Sequence, residues 1–119
     1  MRRAGSWLIC ASLSLFFASQ TVAAEAGDVI TLGAAVSMTG KYAQNGANTR
    51  NGYDLAVKAI NGQGGVEVSG KPYQLVIRYY DDESTPARGT ELAERLIRQD
   101  KVKFMLGPYS SGLTKAILP

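Results

Sequence analysis

The 119-residue chain contains no histidine and one cysteine, Cys10. Without histidine it has no imidazole base and lacks the commonest metal ligand. A Ser–His hydrolase would have to draw that group from outside this sequence. With one thiol it can close no internal disulfide, although an exported protein could keep one. A membrane-spanning run is also missing, because the apolar stretch Trp7 to Ala18 falls short of the roughly 20 residues a bilayer requires. Nor is there a surplus of charge: 13 basic residues face 10 acidic ones, for a formal net charge of +3. Nucleic acids and anionic membranes are recognised by clustered basic excess, and none is present.

What the amino terminus does contain is an export signature. Arg2 and Arg3 precede the apolar stretch, and Val22-Ala23-Ala24 places small residues before Glu25, the order of a cleavable signal peptide. Cys10 follows bulky Ile9 and the apolar chain continues past it, unlike a lipid-modified cysteine. Residues 1–24 are therefore expected to be removed, an uncleaved membrane anchor being the alternative, and removal brings the formal charge from +3 to +1. Residues 25–119 remain. Their end, Thr114 to Pro119, reads as the opening of a helix that stops in mid-pattern, so the chain is expected to be the start of a longer protein.

The remaining sequence alternates strand and helix patterns. Val29 to Val36 is small and β-branched with no polar face, which suits a strand buried on both sides. Tyr53, Ala56, Val57 and Ile60 share one helical face, and Asn61-Gly62 is expected to end that helix with a left-handed cap. Gln63 to Pro72 reads as a surface turn or small hairpin. Tyr73 to Tyr80 is the second strand, closed by Asp81-Asp82-Glu83. Thr85 and Pro86 then open a helix as cap and first residue. That helix is expected to bury Leu92, Ala93, Leu96 and Ile97, and to pair Glu91 and Glu94 with Arg95 and Arg98. Lys101 to Leu106 is the third strand. The order β-α-β-α-β predicts an α/β fold with a parallel sheet in strand order 2-1-3. Ligands bind such sheets at the carboxyl ends of the strands where the order reverses, here in the loops Ser37 to Gly46 and Pro108 to Gly112.

The chemistry those loops could support is narrow. A nucleophile elbow needs glycine two residues before and after its serine; Ser110 has Pro108 before it, and Ser111 lies between Tyr109 and Leu113. The first loop reads Ser-Met-Thr-Gly-Lys-Tyr, not the glycine pattern that admits a pyrophosphate. Asp81-Asp82-Glu83 has hard oxygen ligands but no calcium-loop spacing, so it is read as ending a strand and complementing a helix dipole. No metal and no cofactor is expected. Gly107-Pro108-Tyr109-Ser110-Ser111-Gly112 is either a polar turn or a set of donors for an anionic group such as a carboxylate.

Three stretches, Ile30–Val66, Leu75–Ile97 and Val102–Thr114, together resemble the type I periplasmic solute-binding proteins, in particular the branched-chain amino-acid-binding group that serves ABC importers. The resemblance covers residues 29 to 119. It implies a non-enzymatic protein of two α/β lobes closing on a small ligand, of which residues 25–119 form the first part of lobe 1. It implies a periplasmic location, a membrane permease as partner, and an amino acid or similar carboxylate as ligand. By residue-to-residue match it puts the carboxylate contact on Ser111, with Ser110 and Tyr109 beside it. Thr39, Tyr42 and Asn45 match positions at the cleft rim; Asn45 stands where many relatives carry an aromatic residue. The groups for the ligand's ammonium would lie in the remainder of such a protein. The same fold implies two alternatives: a ligand-sensing domain of a receptor or amide-responsive regulator, and, less favoured, an exported α/β hydrolase.

Overall fold

The computed structural model describes residues 28–118, so the expected signal peptide lies outside the described residues. Strand β1, Val29–Val36, is the centre of the structure. Its small residues Ala34, Ala35 and Val36 are at most 2% exposed, because helices cover both faces of the sheet there. Helix α1 follows as Ala43–Gly62, then β2 as Val66–Val68, β3 as Lys71–Asp81 and α2 as Pro86–Arg98. Strand β4, Phe104–Leu106, and helix α3, Ser111–Ile117, complete the order.

The four strands lie in the order β2-β3-β1-β4. Strand β1 runs parallel to β3, with Val29 opposite Gln74 and Val36 opposite Asp81, and parallel to β4, with Leu32 opposite Phe104. The expected order of three parallel strands is therefore present. It is extended by β2, which pairs antiparallel with the start of β3. Ser69 and Gly70 make that hairpin turn, both with positive φ (53° and 80°), as a two-residue turn matched to strand twist requires.

Several local expectations are corrected. Helix α1 runs through Gly62, and the left-handed residues are Gly64 and Gly65. Asn61 does other work: its amide donates to the Leu75 carbonyl and accepts the Leu75 N–H, both at 2.8 Å, fastening α1 to β3. On α1, Tyr53, Val57 and Ile60 are half-buried, but Ala56 points outward. Helix α2 buries Leu92, Ala93 and Leu96, whereas Ile97 is 53% exposed; it borders an apolar groove with Met105, Leu106, Ile117 and Leu118. Glu91 pairs with Arg88 at 2.7 Å, while Arg95 lies over the Tyr80 ring at 4.5 Å, an alternative the aromatic face makes favourable. Thr85 is the cap residue and Pro86 the first helical residue as expected, but the Thr85 hydroxyl donates to the Asp82 carbonyl at 3.3 Å and accepts no helix amide.

Candidate functional site

Strands β1 and β4 are parallel neighbours, so their exit loops emerge side by side at the same end of the sheet. The β1 loop, Ser37 to Tyr42, must turn sharply into α1. Gly46, in the second turn of that helix, lets the helix rest directly on the loop: a Cβ there would sit 1.9 Å from the Ser37 carbonyl oxygen. No residue with a side chain fits that space.

The loop is held from across the sheet. Asp81, the last residue of β3, accepts the amides of Met38 and Thr39 at 2.9 and 3.2 Å and the Thr39 hydroxyl at 2.7 Å. Asp82, fully buried, accepts the Ser37 hydroxyl at 2.6 Å and the Ser84 amide at 2.8 Å. The Ser84 hydroxyl donates to the Thr39 carbonyl at 2.6 Å and accepts the Tyr42 amide at 3.0 Å. Burial is the largest influence on the Asp81 carboxyl and pushes it upward, but the Thr39 hydroxyl and the amides of Glu83, Met38 and Thr39 outweigh it and hold the group below the usual carboxylate range. The first turn of α2 itself contains no acid, and the acidic trio just before it is engaged in specific bonds. Two of its carboxylates face the β1 loop, and Glu83 reaches Arg88 at 3.5 Å. Among the described residues no group of three or more potential metal ligands is gathered.

The β4 loop is tied to α1 by Tyr53, whose hydroxyl donates to the Gly107 carbonyl at 2.7 Å. Burial raises the Tyr53 phenol above its ordinary range. Ser110 caps α3: its side-chain oxygen accepts the Leu113 amide at 3.1 Å, while its carbonyl takes the Thr114 amide and hydroxyl. Ser111 is the first residue of α3 and is exposed. None of the hydrogen bonds formed among the described residues uses its hydroxyl.

The six residues singled out from the sequence thus separate by environment. Tyr42 and Tyr109 come together, one from each loop, with ring centroids 5.7 Å apart and planes tilted by 55°. This is a favoured aromatic arrangement, and Lys41 lies 4.7 Å from the Tyr42 ring. Ser111 presents an exposed hydroxyl, whereas Ser110 accepts the Leu113 amide with one lone pair of its oxygen and retains its proton and the second lone pair for another partner. Thr39 is exposed but gives its proton to Asp81. Asn45 is half-buried in the first turn of α1, where its carbonyl accepts the Thr49 hydroxyl at 3.0 Å. Three further residues shape the site: Asp81, read from the sequence only as part of an acidic strand end, Tyr53, read only as a helix-face residue, and Ser84, which the sequence did not mark. The double aspartate ending a strand beside the switch point was the one available signal.

Comparison with known proteins adds an independent line. The family model for periplasmic binding proteins matches residues 29–119. The leucine-, isoleucine-, valine-, threonine- and alanine-binding protein of Pseudomonas aeruginosa is 34% identical over 108 residues, covering 87% of this chain and 28% of that protein. Among solved structures, the branched-chain amino acid transporter substrate-binding protein LivJ from Streptococcus pneumoniae, in complex with isoleucine, superposes with a TM-score of 0.68 at 32% identity. That match covers 76% of this chain and 25% of the other. A solute-binding protein of an ABC transporter from R. palustris, in complex with benzoate, superposes with a TM-score of 0.60 at 30% identity over 75% of this chain and 23% of its own. The chain therefore spans about a quarter of the length of the relatives it matches.

Proposed function

Because the chain belongs to the periplasmic binding protein family, we propose that it contributes the first part of the substrate-binding component of an ABC importer. In this reading residues 1–24 direct export and are cleaved, and the mature protein works outside the cytoplasm with a membrane permease. Its ligand is an amino acid or a similar small carboxylate, held between this lobe and a second one. Isoleucine and benzoate, the ligands in the two related structures, share a carboxylate.

The observation that carries this reading is the meeting of two exit loops from adjacent parallel strands, joined by Tyr42 and Tyr109, next to the exposed Ser111 hydroxyl. Ser111 donates to the carboxylate, and the tyrosine rings line the rim with Thr39 and Asn45. A hydrogen bond to a charged group contributes roughly 1.5–3 kcal/mol, and 1.4 kcal/mol is about tenfold in affinity. Calorimetric titration of the full-length protein with isoleucine and with benzoate, before and after Ser111→Ala, tests it. The variant is expected to weaken the ligand that binds by about 10- to 100-fold. Unchanged affinity would leave Ser111 as turn chemistry and remove the assignment.

A further inference from the structure

The β1 loop satisfies part of its own backbone, the Gly40 carbonyl accepting the Ala43 amide. The backbone groups of Met38, Thr39 and Tyr42 are met instead by the turn between β3 and α2, through Asp81 and Ser84, and the Ser37 hydroxyl by Asp82. Each bond to that turn joins residues 42 to 45 positions apart, so none is an incidental product of local chain geometry. The supporting turn is itself held in a costly form. Glu83 and Ser84 adopt φ of 53° and 60° in succession, a region non-glycine residues seldom enter. That conformation aims their amides back at Asp81 and Asp82, at 2.9 and 2.8 Å. Gly40, with φ of 81°, lets the loop close onto this turn; a Cβ there would lie 2.7 Å from both the Glu83 carbonyl oxygen and the Ser84 hydroxyl.

We infer that Asp81 and Ser84 are positioning residues for ligand binding. They touch no ligand; they hold the segment carrying Thr39 and Tyr42 in the one arrangement that places the rim against the β4 loop. Asp81 fixes the amides of Met38 and Thr39 and the Thr39 hydroxyl, and Ser84 fixes the Thr39 carbonyl and the Tyr42 amide. Backbone strain retained in a turn that faces a binding loop is consistent with such a role. The inference rests on the site reading above, and the test separates the two.

The test compares Asp81→Ala, Asp81→Asn and Ser84→Ala with the parent in the full-length protein, reading isoleucine affinity and amide hydrogen exchange. Should isoleucine not bind the parent, benzoate is the probe. Asp81→Ala is expected to weaken binding by about tenfold or more and to speed exchange at Met38 and Thr39. Asparagine keeps the oxygen that accepts three of the four bonds to Asp81, so Asp81→Asn is expected to recover binding to within about threefold of the parent. Ser84→Ala, which keeps the test open if Asp81→Ala fails to fold, should weaken binding and speed exchange at Tyr42. Asp100→Asn is the control: this carboxylate is bonded to Arg78 and Tyr80 in the turn before β4, and its loss should lower the melting temperature without changing affinity. Faster exchange with unchanged affinity, or an asparagine variant as weak as alanine, overturns the positioning role. If Ser111→Ala weakens binding and the Asp81 and Ser84 variants do not, the positioning inference fails while the site stands. If none of the three positions affects binding, the site assignment itself fails.

Discussion

Two glycines on one helix should respond to the same substitution with opposite signs. In an isolated helix, Gly→Ala is stabilising by about 0.8–1 kcal/mol wherever it is made. Gly52 of α1 meets that condition, because a Cβ added there finds no atom within 4 Å. Gly46 does not. Its Cβ would lie 1.9 Å from the Ser37 carbonyl oxygen, 2.7 Å from the carbonyl carbon and 3.1 Å from the Cα, all of them backbone. Non-bonded heavy atoms rest near 3.5 Å, so the helix and the loop would have to part by roughly 1.5 Å. Neither side yields easily: Ser37 is fully buried and bonded to Asp82, and the residues after it are bonded to Asp81. Overpacking costs typically 1–3 kcal/mol and occasionally more. A backbone clash this short belongs at the upper end of that range, about 3 kcal/mol, so less the propensity gain Gly46→Ala is expected to destabilise by about 2 kcal/mol. For a domain of 150–250 residues each kcal/mol moves the melting temperature by about 2–4 °C. Thermal and urea melts of the full-length protein should therefore place Gly46→Ala below the parent and Gly52→Ala slightly above it. A Gly46→Ala protein as stable as the parent would refute the close approach of α1 to the β1 loop.

Ser110→Ala removes the α3 cap and should lower stability by about 1 kcal/mol with a smaller effect on ligand affinity than Ser111→Ala, the two read by melts and calorimetry side by side. The stability of the protein should also depend on pH at both extremes. Asp81 is held below the usual carboxylate range in the fold, so its contribution is present above about pH 4 and is lost as the pH falls from there; Asp81→Asn should flatten that acid limb in urea midpoints. Tyr53 and Tyr79 are shifted the other way, Tyr53 by burial and Tyr79 by burial and then by its bond to Asp54. Their contribution is complete below about pH 10 and declines as the pH rises above it.

The parts of this fold that could be read in the sequence are those with a repeating signal. Val29 to Val36 announces a strand buried on both faces, and Leu92, Ala93 and Leu96 announce the inner face of α2; the strand has those bounds but is buried only over residues 33–36, with Val29 exposed, while the α2 face is buried as expected. Ile97 continues the same apolar stripe but stands at its margin beside the groove along β4, and periodicity does not show where a stripe stops being covered. Loop positions were readable because strand order determines which exits meet. The partners within those loops were not. Asp81 and Asp82 are equally acidic and adjacent, yet one is half-buried with a lowered pKa and the other is sealed inside. The difference lies in which way each side chain leaves the end of β3, a property of the paired strands and not of either residue. Ser110 and Ser111 show the same limit: only the start of α3 makes one a cap and leaves the other exposed.

The long spans between the β1 loop and the turn that holds it also set an order of assembly. Residues 37 to 42 are made early in the chain, but the groups that give them shape arrive only with residues 81 to 84. Closing such a separation costs chain entropy before any bond is made, and contacts of this kind form slowly compared with helices and hairpins. The β2–β3 hairpin closes through contacts between near neighbours in the chain; the first loop of the site does not. It takes its shape when β3 docks beside β1 and the turn behind it closes. A chain interrupted before Ser84 would therefore lack the rim even where its first strand and helix had formed, and ligand binding should appear during refolding only after the sheet has.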